Sequence, residues 1–202
     1  KNLKTLAENG YYIVEPGYGE VLCGDQGVGR LAKIDDLVLA VEKCLSVQDL
    51  NGEMVLITAG GAKEPLDPVR YLGNRSSGKM GHALAEAAYK RGAKVLLVTA
   101  AALPTNPGIT TFRVETTAEM RSKTLELAAE ATIIIKSAAP ADYRPEKIAA
   151  QKIKKSEAEL NLKLIPNPDI LLELGRAKKP NQILVGFAAE TESLKENALA
   201  KL

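Results

Sequence analysis

The chain has 202 residues, and 46% of them are hydrophobic, which suits one α/β domain with an appendage. With 27 basic and 25 acidic residues its net charge is +2, and it has six tyrosines, two phenylalanines and no tryptophan, so the composition excludes a protein drawn to nucleic acid by overall charge and base stacking. No apolar run approaches the roughly 20 residues that span a bilayer, and no leader peptide is recognisable, so we expect no membrane partner and a cytoplasmic location.

The first 45 residues differ from the rest of the chain. A glycine-dense run, EPGYGEVLCGDQGVGRL, precedes the helical pattern IDDLVLAVEKCL, and the polar residues 46–53 are typical of a linker. From Met54 onward, strand and helix patterns alternate. The predicted strands are MVLITAG, KVLLVTA, TTFRVE, ATIIIKSAA, LNLKLI and ILVGFAAE.

Three helices are predicted between these strands. The first runs from Gly78 to Arg91 and stops at Gly92, the second is TAEMRSKTLELAAEA with Thr117 as its cap, and the third, DILLELGRAK, follows Pro168. This order predicts an α/β fold, a doubly wound, mostly parallel, Rossmann-like sheet with helices on both faces. Its ligand is expected beyond the carboxyl ends of the strands. The loops expected there are 60–78, 137–155, 167–169 and 187–190.

The segment TAGGAKEPLDPVRYLGNRSSGKMG, residues 58–81, has the pattern of a loop that holds an anion. A strand ends in glycines, and a charged loop then leads to a helix start whose free N–H groups favour phosphate or carboxylate. Ser76 and Ser77 are expected to cap this helix. The other polar groups of the loop are the cations Arg70, Arg75 and Lys79 and the amide of Asn74.

Two better-known phosphate loops fit poorly. GNRSSGKM nearly matches GxxxxGK[ST], but Met80 replaces the hydroxyl that would bind Mg²⁺, and no apolar strand immediately precedes Gly73. The fingerprint GxGxxG is absent, and the second strand ends without an acidic residue for a ribose, which disfavours a Rossmann-like reductase. A noncatalytic fragment that only binds nucleotide remains a further alternative. Gly60, Gly61 and Gly81 are also explained by tight packing of helix against strand.

The later loops carry other candidate groups. In SAAPADYRP, Asp142 offers a carboxylate to a sugar or metal, or else caps a turn. One lysine of KIKK, residues 152–155, could stabilise charge on phosphate oxygens, although the pattern does not say which. Asn167-Pro168-Asp169 indicates a helix start, with Pro168 near the first position and Asp169 in the first turn. Phe187 could stack on a base or lie in the core.

The low histidine and cysteine content excludes several kinds of site from this chain. His82 is the only histidine, so this chain alone cannot supply a Ser-His-Asp triad or a multi-histidine metal site. Cys23 and Cys44 are too few for a disulfide scaffold. Cys44 is at helical spacing with Leu37 and Val41, which predicts a small core residue. The metal ligands remain unknown.

Residues 54–202 resemble a known family, the bacterial phosphopantothenoylcysteine synthetases, which are the ligases of coenzyme A biosynthesis. The most specific pieces are EPLDPVRYLGNRSSGKMG, ADYRP with KIKK, NPDIL and GFAAET, in the family's order and spacing. The resemblance implies a ligase that uses CTP and Mg²⁺ to convert 4′-phosphopantothenate into an acyl cytidylate. Cysteine then displaces CMP. It also implies a homodimer, and a larger oligomer when the ligase is fused to its partner enzyme.

The resemblance assigns roles position by position. Asn74 and Lys152 match catalytic positions of the ligase. The positions that match phosphopantothenate contacts are Gly60, Gly61, Arg70, Asn74, Arg75, Ser76, Ser77 and Lys79. Those that match nucleotide contacts are Ala138, Asp142, Lys152, Pro168, Asp169, Ile170, Leu171, Phe187 and Lys201.

Residues 11–31 look like the last segment of the flavin-dependent decarboxylase that most bacteria fuse ahead of this ligase. Cys23 matches its proton-donating cysteine, whereas the FMN-binding core and the catalytic histidine and asparagine motifs are missing. We therefore expect three parts: a decarboxylase tail in residues 1–45, a linker in 46–53, and a C-terminally incomplete ligase domain in 54–202. The fused protein is expected to decarboxylate its own product.

Overall fold

The computed structural model describes residues 2–21, 24–155 and 159–188, and the chain divides into two compact units, Lys1–Gln48 and Asp49–Leu202. The first unit contains helix α1 (Asn2–Glu8), the antiparallel hairpin of β1 (Gly17–Glu20) and β2 (Gln26–Arg30), and helix α2 (Ile34–Leu45). Helix α2 confirms the IDDLVLAVEKCL pattern. Cys44 is exposed on it, however, so its prediction as a core residue is wrong.

Strands and helices alternate through the second unit, as the pattern from Met54 predicts. In chain order the elements are β3 Met54–Ala59, β4 Lys63–Pro65, β5 Tyr71–Gly73, α3 Lys79–Lys90, β6 Lys94–Thr99, β7 Thr110–Arg113, α4 Thr117–Ala128, β8 Ile133–Lys136, β9 Tyr143–Pro145, β10 Leu164–Pro166, α5 Ile170–Ala177 and β11 Ile183–Gly186.

Within the described residues, five of these strands form one parallel sheet in the order β11-β8-β3-β6-β7. The chain builds outward from β3 through β6 to β7, then returns to the other side of β3 with β8 and β11. The strand order therefore reverses beside β3, between β3 and β8. This arrangement confirms the predicted doubly wound α/β fold.

The core has two layers, one on each face of the sheet. Alternate residues of β3 point to opposite faces, so Val55 and Ile57 pack with α3 on one side, while Leu56 packs with α4 and α5 on the other. All three side chains are fully buried. A strand buried on both faces shows a continuous apolar run, which explains the sequence MVLITA.

Two short hairpins beside the main sheet were not predicted. Strand β4 pairs antiparallel with β5, and β9 pairs antiparallel with β10. The predicted strand LNLKLI therefore shrinks to its last two residues plus Pro166 and does not join the parallel sheet. Likewise the strand that precedes GNRSSGKM is a three-residue strand of a hairpin, which is not the β-strand context of a P-loop.

The cap of α4 lies one residue earlier than predicted. Thr116, and not Thr117, accepts the N–H of Glu119 on its hydroxyl, and the Glu119 carboxylate bonds back to the Thr116 N–H, which completes a capping box. Thr117 is buried instead. No helix among the described residues is both long and apolar enough to cross a bilayer.

Candidate functional site

A cleft of about 290 Å³ opens beyond the carboxyl ends of β8 and β11. It is the place where a doubly wound sheet is expected to bind its ligand. Six of the predicted nucleotide-contacting residues line it, namely Asp142, Pro168, Asp169, Ile170, Leu171 and Phe187. The six other lining residues had no predicted nucleotide contact. Pro140, Ala141, Tyr143 and Asn167 lie in loops that were predicted to border the ligand, whereas Lys136 and Pro166 lie outside those loops.

The start of helix α5 forms one wall of the cleft. Asp169 is its N-cap and accepts the N–H of Leu172 on its side chain at 3.1 Å, so the helix begins at Ile170, one or two residues later than predicted. Asp169, predicted in the first turn, is therefore the cap instead, and Pro168 precedes the helix. The N–H groups of the first helical turn and the helix dipole make this wall favourable to negative charge.

Asn167 joins the two loops that frame the cleft. Its side-chain amide donates to the carbonyl oxygen of Ala141 at 2.8 Å, and its backbone N–H donates to that of Asp142 at 2.7 Å. Its side-chain oxygen accepts from Arg144 at 2.9 Å, and the same guanidinium also reaches the carbonyl oxygen of Pro166. These bonds hold the backbone of the loop that carries Asp142 against the entry to α5.

Phe187 follows β11 and is 48% exposed while it lines the cleft. This position excludes the core alternative for its ring and leaves the ring face open to a planar ligand. Asp142 is exposed too. The charged side chains around the cleft are those of Lys136, Asp142 and Asp169, and Asp169 is occupied as a cap.

The Asn74 loop reaches the same cleft from the other side. The Asn74 side-chain amide donates to the carbonyl oxygens of Ala139 at 3.2 Å and Pro140 at 3.1 Å, and Pro140 lines the cleft. The N–H of Ala139 in turn donates to the carbonyl oxygen of Gly60 at 3.0 Å. Loops after β3, β5 and β8 therefore meet at one place.

Close packing explains the glycines of this region. A Cβ on Gly61 would lie 2.7 Å from the carbonyl oxygen of Asn74, and one on Gly81 would lie 2.5 Å from the Cβ of Ala59. Gly60 has a φ of +86° and packs on the backbone of Ala101. The packing interpretation is confirmed for Gly81, and contact of Gly60 or Gly61 with a substrate stays a prediction.

Gly78, and no serine, is the N-cap of α3. Its φ of +76° is left-handed, and it provides no side-chain cap. The Ser77 hydroxyl accepts the N–H of Lys79 at a long 3.4 Å, so the predicted capping by Ser76 and Ser77 reduces to one weak contact. Ser76 is half-buried beside Gly61, 3.5 Å from where a Cβ on that glycine would lie.

Arg70 is paired with an acidic neighbour but is still 44% exposed, so its contact with a substrate stays a prediction. Its guanidinium binds the carboxylate of Asp67 through Nε at 3.0 Å and Nη2 at 2.7 Å, and Nη2 also donates to the carbonyl oxygen of Ile153. The sequence interpretation missed Asp67, which is 2% exposed. No local pattern marks Asp67, because its distant partner, the N–H of Ile153, is 86 residues away.

Three further predicted cations are exposed. Arg75, Lys79 and Lys152 form no ion pair with any residue in the described ranges, so their charges remain available to an anionic ligand. None of them lines the cleft itself. Their roles stay predictions.

Other predicted residues lie elsewhere. Ala138 is buried, its N–H donates to the Thr58 hydroxyl at 3.1 Å, and it does not line the cleft. Cys23, Glu190 and Lys201 lie outside the described residues. In the described part of the chain no three metal-ligating side chains come together.

His82 is buried and forms a hydrogen bond within the fold. Its Nε2 lies 3.1 Å from the Thr99 hydroxyl, and burial is the main cause that lowers the pKa of the ring. The Thr99 hydroxyl also accepts the N–H of Ala101. The histidine thus fixes the loop after β6, and lies outside the cleft lining.

Comparison with known proteins agrees with this fold. Residues 50–202 match the family described as DNA/pantothenate metabolism flavoprotein C-terminal domain. The chain belongs to this family. The crystal structure of the C-terminal domain of the coenzyme A biosynthesis bifunctional protein CoaBC is 40% identical, with a TM-score of 0.67 over 78% of this chain and 74% of that one. The predicted family resemblance is thereby confirmed.

Curated relatives extend the match over the whole chain. The coenzyme A biosynthesis bifunctional protein CoaBC of Haemophilus influenzae is 44% identical over 204 residues, which cover 100% of this chain and 51% of that protein. A cysteine/cysteine sulfinic acid decarboxylase from an unknown prokaryotic organism is 42% identical over 100% of this chain and 58% of that protein. The chain therefore spans about half the length of the relatives it matches.

Proposed function

We propose that residues 54–202 belong to a phosphopantothenate–cysteine ligase of coenzyme A biosynthesis. The observation that carries the proposal is the convergence of the Asn74 loop, the Asp142 loop and the α5 entry on one cleft. The family match and the name of its solved C-terminal domain support the same pathway.

The cleft suits the nucleoside part of CTP. Phe187 offers an exposed ring face for the base, and stacking of this kind contributes about 1–3 kcal/mol per base. Asp142 offers a carboxylate to the ribose hydroxyls. Only one of the charged lining residues, Lys136, is basic, so the triphosphate would extend beyond this lining, toward the loop that carries Asn74, Arg75 and Lys79.

The reaction has two displacements. A carboxylate oxygen of 4′-phosphopantothenate attacks the α-phosphorus of CTP, and the bond to pyrophosphate breaks. The cysteine amine then attacks the acyl carbon, loses a proton, and CMP leaves with the electron pair of the broken acyl bond. Because carboxylate and triphosphate repel each other, fixed cations and N–H donors near both of them lower the barrier.

The two predicted catalytic residues of the ligase have distinct roles in this scheme. Asn74, held against the cleft wall, would orient the acid and its acyl cytidylate, and Lys152 would stabilise charge on the phosphate oxygens. Mg²⁺ would be carried largely by the triphosphate, since such sites use one or two carboxylates together with phosphate oxygens. Because Asp142 is assigned to the ribose hydroxyls, no residue of the cleft lining is assigned as a ligand of the metal.

The organisation of the whole protein is part of the proposal. Residues 1–45 would be the tail of a flavin-dependent decarboxylase, with FMN bound elsewhere in the full protein and Cys23 as proton donor, and residues 46–53 would be the linker. The ligase domain would act as a homodimer within a larger oligomer. Light scattering on the full-length protein, at several concentrations, tests the dimer.

The assay uses full-length protein, 4′-phosphopantothenate, cysteine and Mg²⁺, with CTP or ATP as nucleotide. We expect equal amounts of CMP, pyrophosphate and amide product with CTP, and little turnover with ATP. Turnover with ATP and inert CTP would contradict the nucleotide assignment. Loss of CO₂ from cysteine sulfinic acid without any nucleotide would instead support the activity named for the decarboxylase relative.

A further inference from the structure

Asp67 has an unusual number of hydrogen-bond donors for one carboxylate. Oδ1 accepts the N–H groups of Val69 at 2.8 Å and Arg70 at 2.9 Å. Oδ2 accepts the Arg70 guanidinium twice and the N–H of Ile153 at 3.1 Å. The carboxylate is buried, and burial alone would raise the pKa of Asp67. The donors outweigh burial and lower the pKa to about 2, so the group is charged at neutral pH.

These bonds join two segments that are far apart in sequence. The segment 149–153 forms two more bonds to the Asp67 region, in addition to the bond from the Ile153 N–H. The Ile153 carbonyl oxygen accepts from Arg70, and the Ala149 N–H donates to the carbonyl oxygen of Leu66. Lys152 lies between these anchored residues and is itself exposed. Its backbone is therefore fixed by Asp67, whereas its side chain is free to extend.

We propose that Asp67 is a positioning residue for Lys152. The carboxylate and its bound Arg70 hold the backbone on one side of Lys152, so the ammonium is presented from a fixed point. The inference rests on the proposed function of Lys152 as the lysine at the nucleotide. It assigns the Arg70 charge to this internal pair and not to a bound substrate.

The same chain offers a matched control. Asp49 also binds the Nε and Nη2 of an arginine, Arg91, here with one carboxylate oxygen for each nitrogen at 2.7 Å and 2.6 Å, but this pair is about half exposed and lies at the end of α3. Exposed ion pairs contribute little, and this one fixes no residue of the candidate site. Asp49→Asn should therefore leave turnover unchanged.

The test compares Asp67→Asn, Lys152→Ala and the double variant in full-length protein. Asparagine has nearly the shape of aspartate, but its NH₂ group would face hydrogen-bond donors that the Asp67 carboxylate now accepts. We therefore expect the turnover of Asp67→Asn to fall about tenfold or more. Because Asp67 acts through Lys152, Asp67→Asn should reduce turnover by less than about a further twofold when Lys152 is already replaced by alanine. If the loss of turnover in the double variant equals the product of the losses in the two single variants, the proposal is overturned.

Hydrogen exchange gives a readout that needs no catalysis. In Asp67→Asn, amides of residues 149–153 should exchange about tenfold or more faster, while amides of β3 and β6 keep their protection. Unchanged exchange at residues 149–153 would also overturn the proposal. If the unsubstituted protein makes no CMP while the exchange result holds, the proposed function fails but the anchoring by Asp67 stands. A general loss of protection in β3 and β6 would assign Asp67 to overall stability instead.

Discussion

The side-chain amide of Asn74 donates a hydrogen bond to the carbonyl oxygen of Pro140, 3.1 Å away. This bond links the anion loop to the wall of the cleft, although the two residues are 66 positions apart in the chain. A ligand that fills the cleft and extends past Pro140 therefore reaches Asn74. The link thus places Asn74, the residue proposed to orient the acid, beside the nucleotide cleft.

Substitution of Asn74 by aspartate should separate chemistry from nucleotide binding. The carboxylate would face the carbonyl oxygens of Ala139 and Pro140 and lose both donor contacts. We expect acyl cytidylate formation to slow about tenfold or more, with the Kd of CTP changed less than about threefold. Rapid-quench detection of the acyl cytidylate measures its rate of formation, and calorimetry with CTP measures the Kd. Asn51→Asp, in an exposed turn, is the control. Equal losses in both measurements would refute the role.

Removal of the Phe187 ring should weaken nucleotide binding. Because the ring lines the cleft and is 48% exposed, Phe187→Ala should raise the Kd of CTP about 5- to 100-fold, and Phe187→Tyr should keep it nearly unchanged. Titration calorimetry measures both values. Tyr18→Ala, an exposed aromatic of the first unit, controls for general effects. Unaltered affinity in Phe187→Ala would place the base elsewhere.

Two helical glycines should respond to alanine with opposite signs. In Gly81→Ala the new Cβ would lie 2.5 Å from the Cβ of Ala59, so we expect a loss of about 1–3 kcal/mol in the free energy of unfolding. At Gly175 the nearest atom would be 3.9 Å away, so Gly175→Ala should gain about 0.5–1 kcal/mol through helix propensity. Urea denaturation measures both. A stabilised Gly81→Ala would show that α3 does not pack tightly on β3.

The pH dependence of stability should contain a contribution from Asp67. Its folded pKa is lowered to about 2, below the unfolded value, so its stabilising effect is full above about pH 4 and is lost as the pH falls toward 2. The difference in unfolding free energy between the unsubstituted protein and Asp67→Asn should therefore shrink over this range. Urea denaturation at several pH values tests it. A difference that stays constant from pH 5 to 2 would be the contrary result.

The sequence alone predicts the parallel sheet because its strands are buried on both faces and its helices have regular apolar spacing. Residues 54–59 and 94–99 show this most clearly, since every strand residue after the first is buried. It also predicts most of the cleft lining, because residues that follow parallel strands gather at one edge. Asp142 after β8 and Phe187 after β11 therefore line one cleft, as expected.

The remaining features depend on contacts between distant segments. Hairpin strands of three residues have no measurable periodicity, and Pro65, Pro145 and Pro166 further conceal them. Arg70 resembles a free cation in sequence because its buried partner, Asp67, is embedded in a turn motif. The cap of α4, by contrast, could be predicted from the sequence, because Thr116 and Glu119 have the T-x-x-E spacing of a capping box and Thr117 and Met120 do not.

The most direct test is a crystal structure of the full-length protein with CTP and Mg²⁺. The base should stack on Phe187, the ribose should contact Asp142, and the phosphates should extend past Pro140 toward Asn74. Nucleotide bound at a site that touches neither Phe187 nor Asp142 would contradict the account.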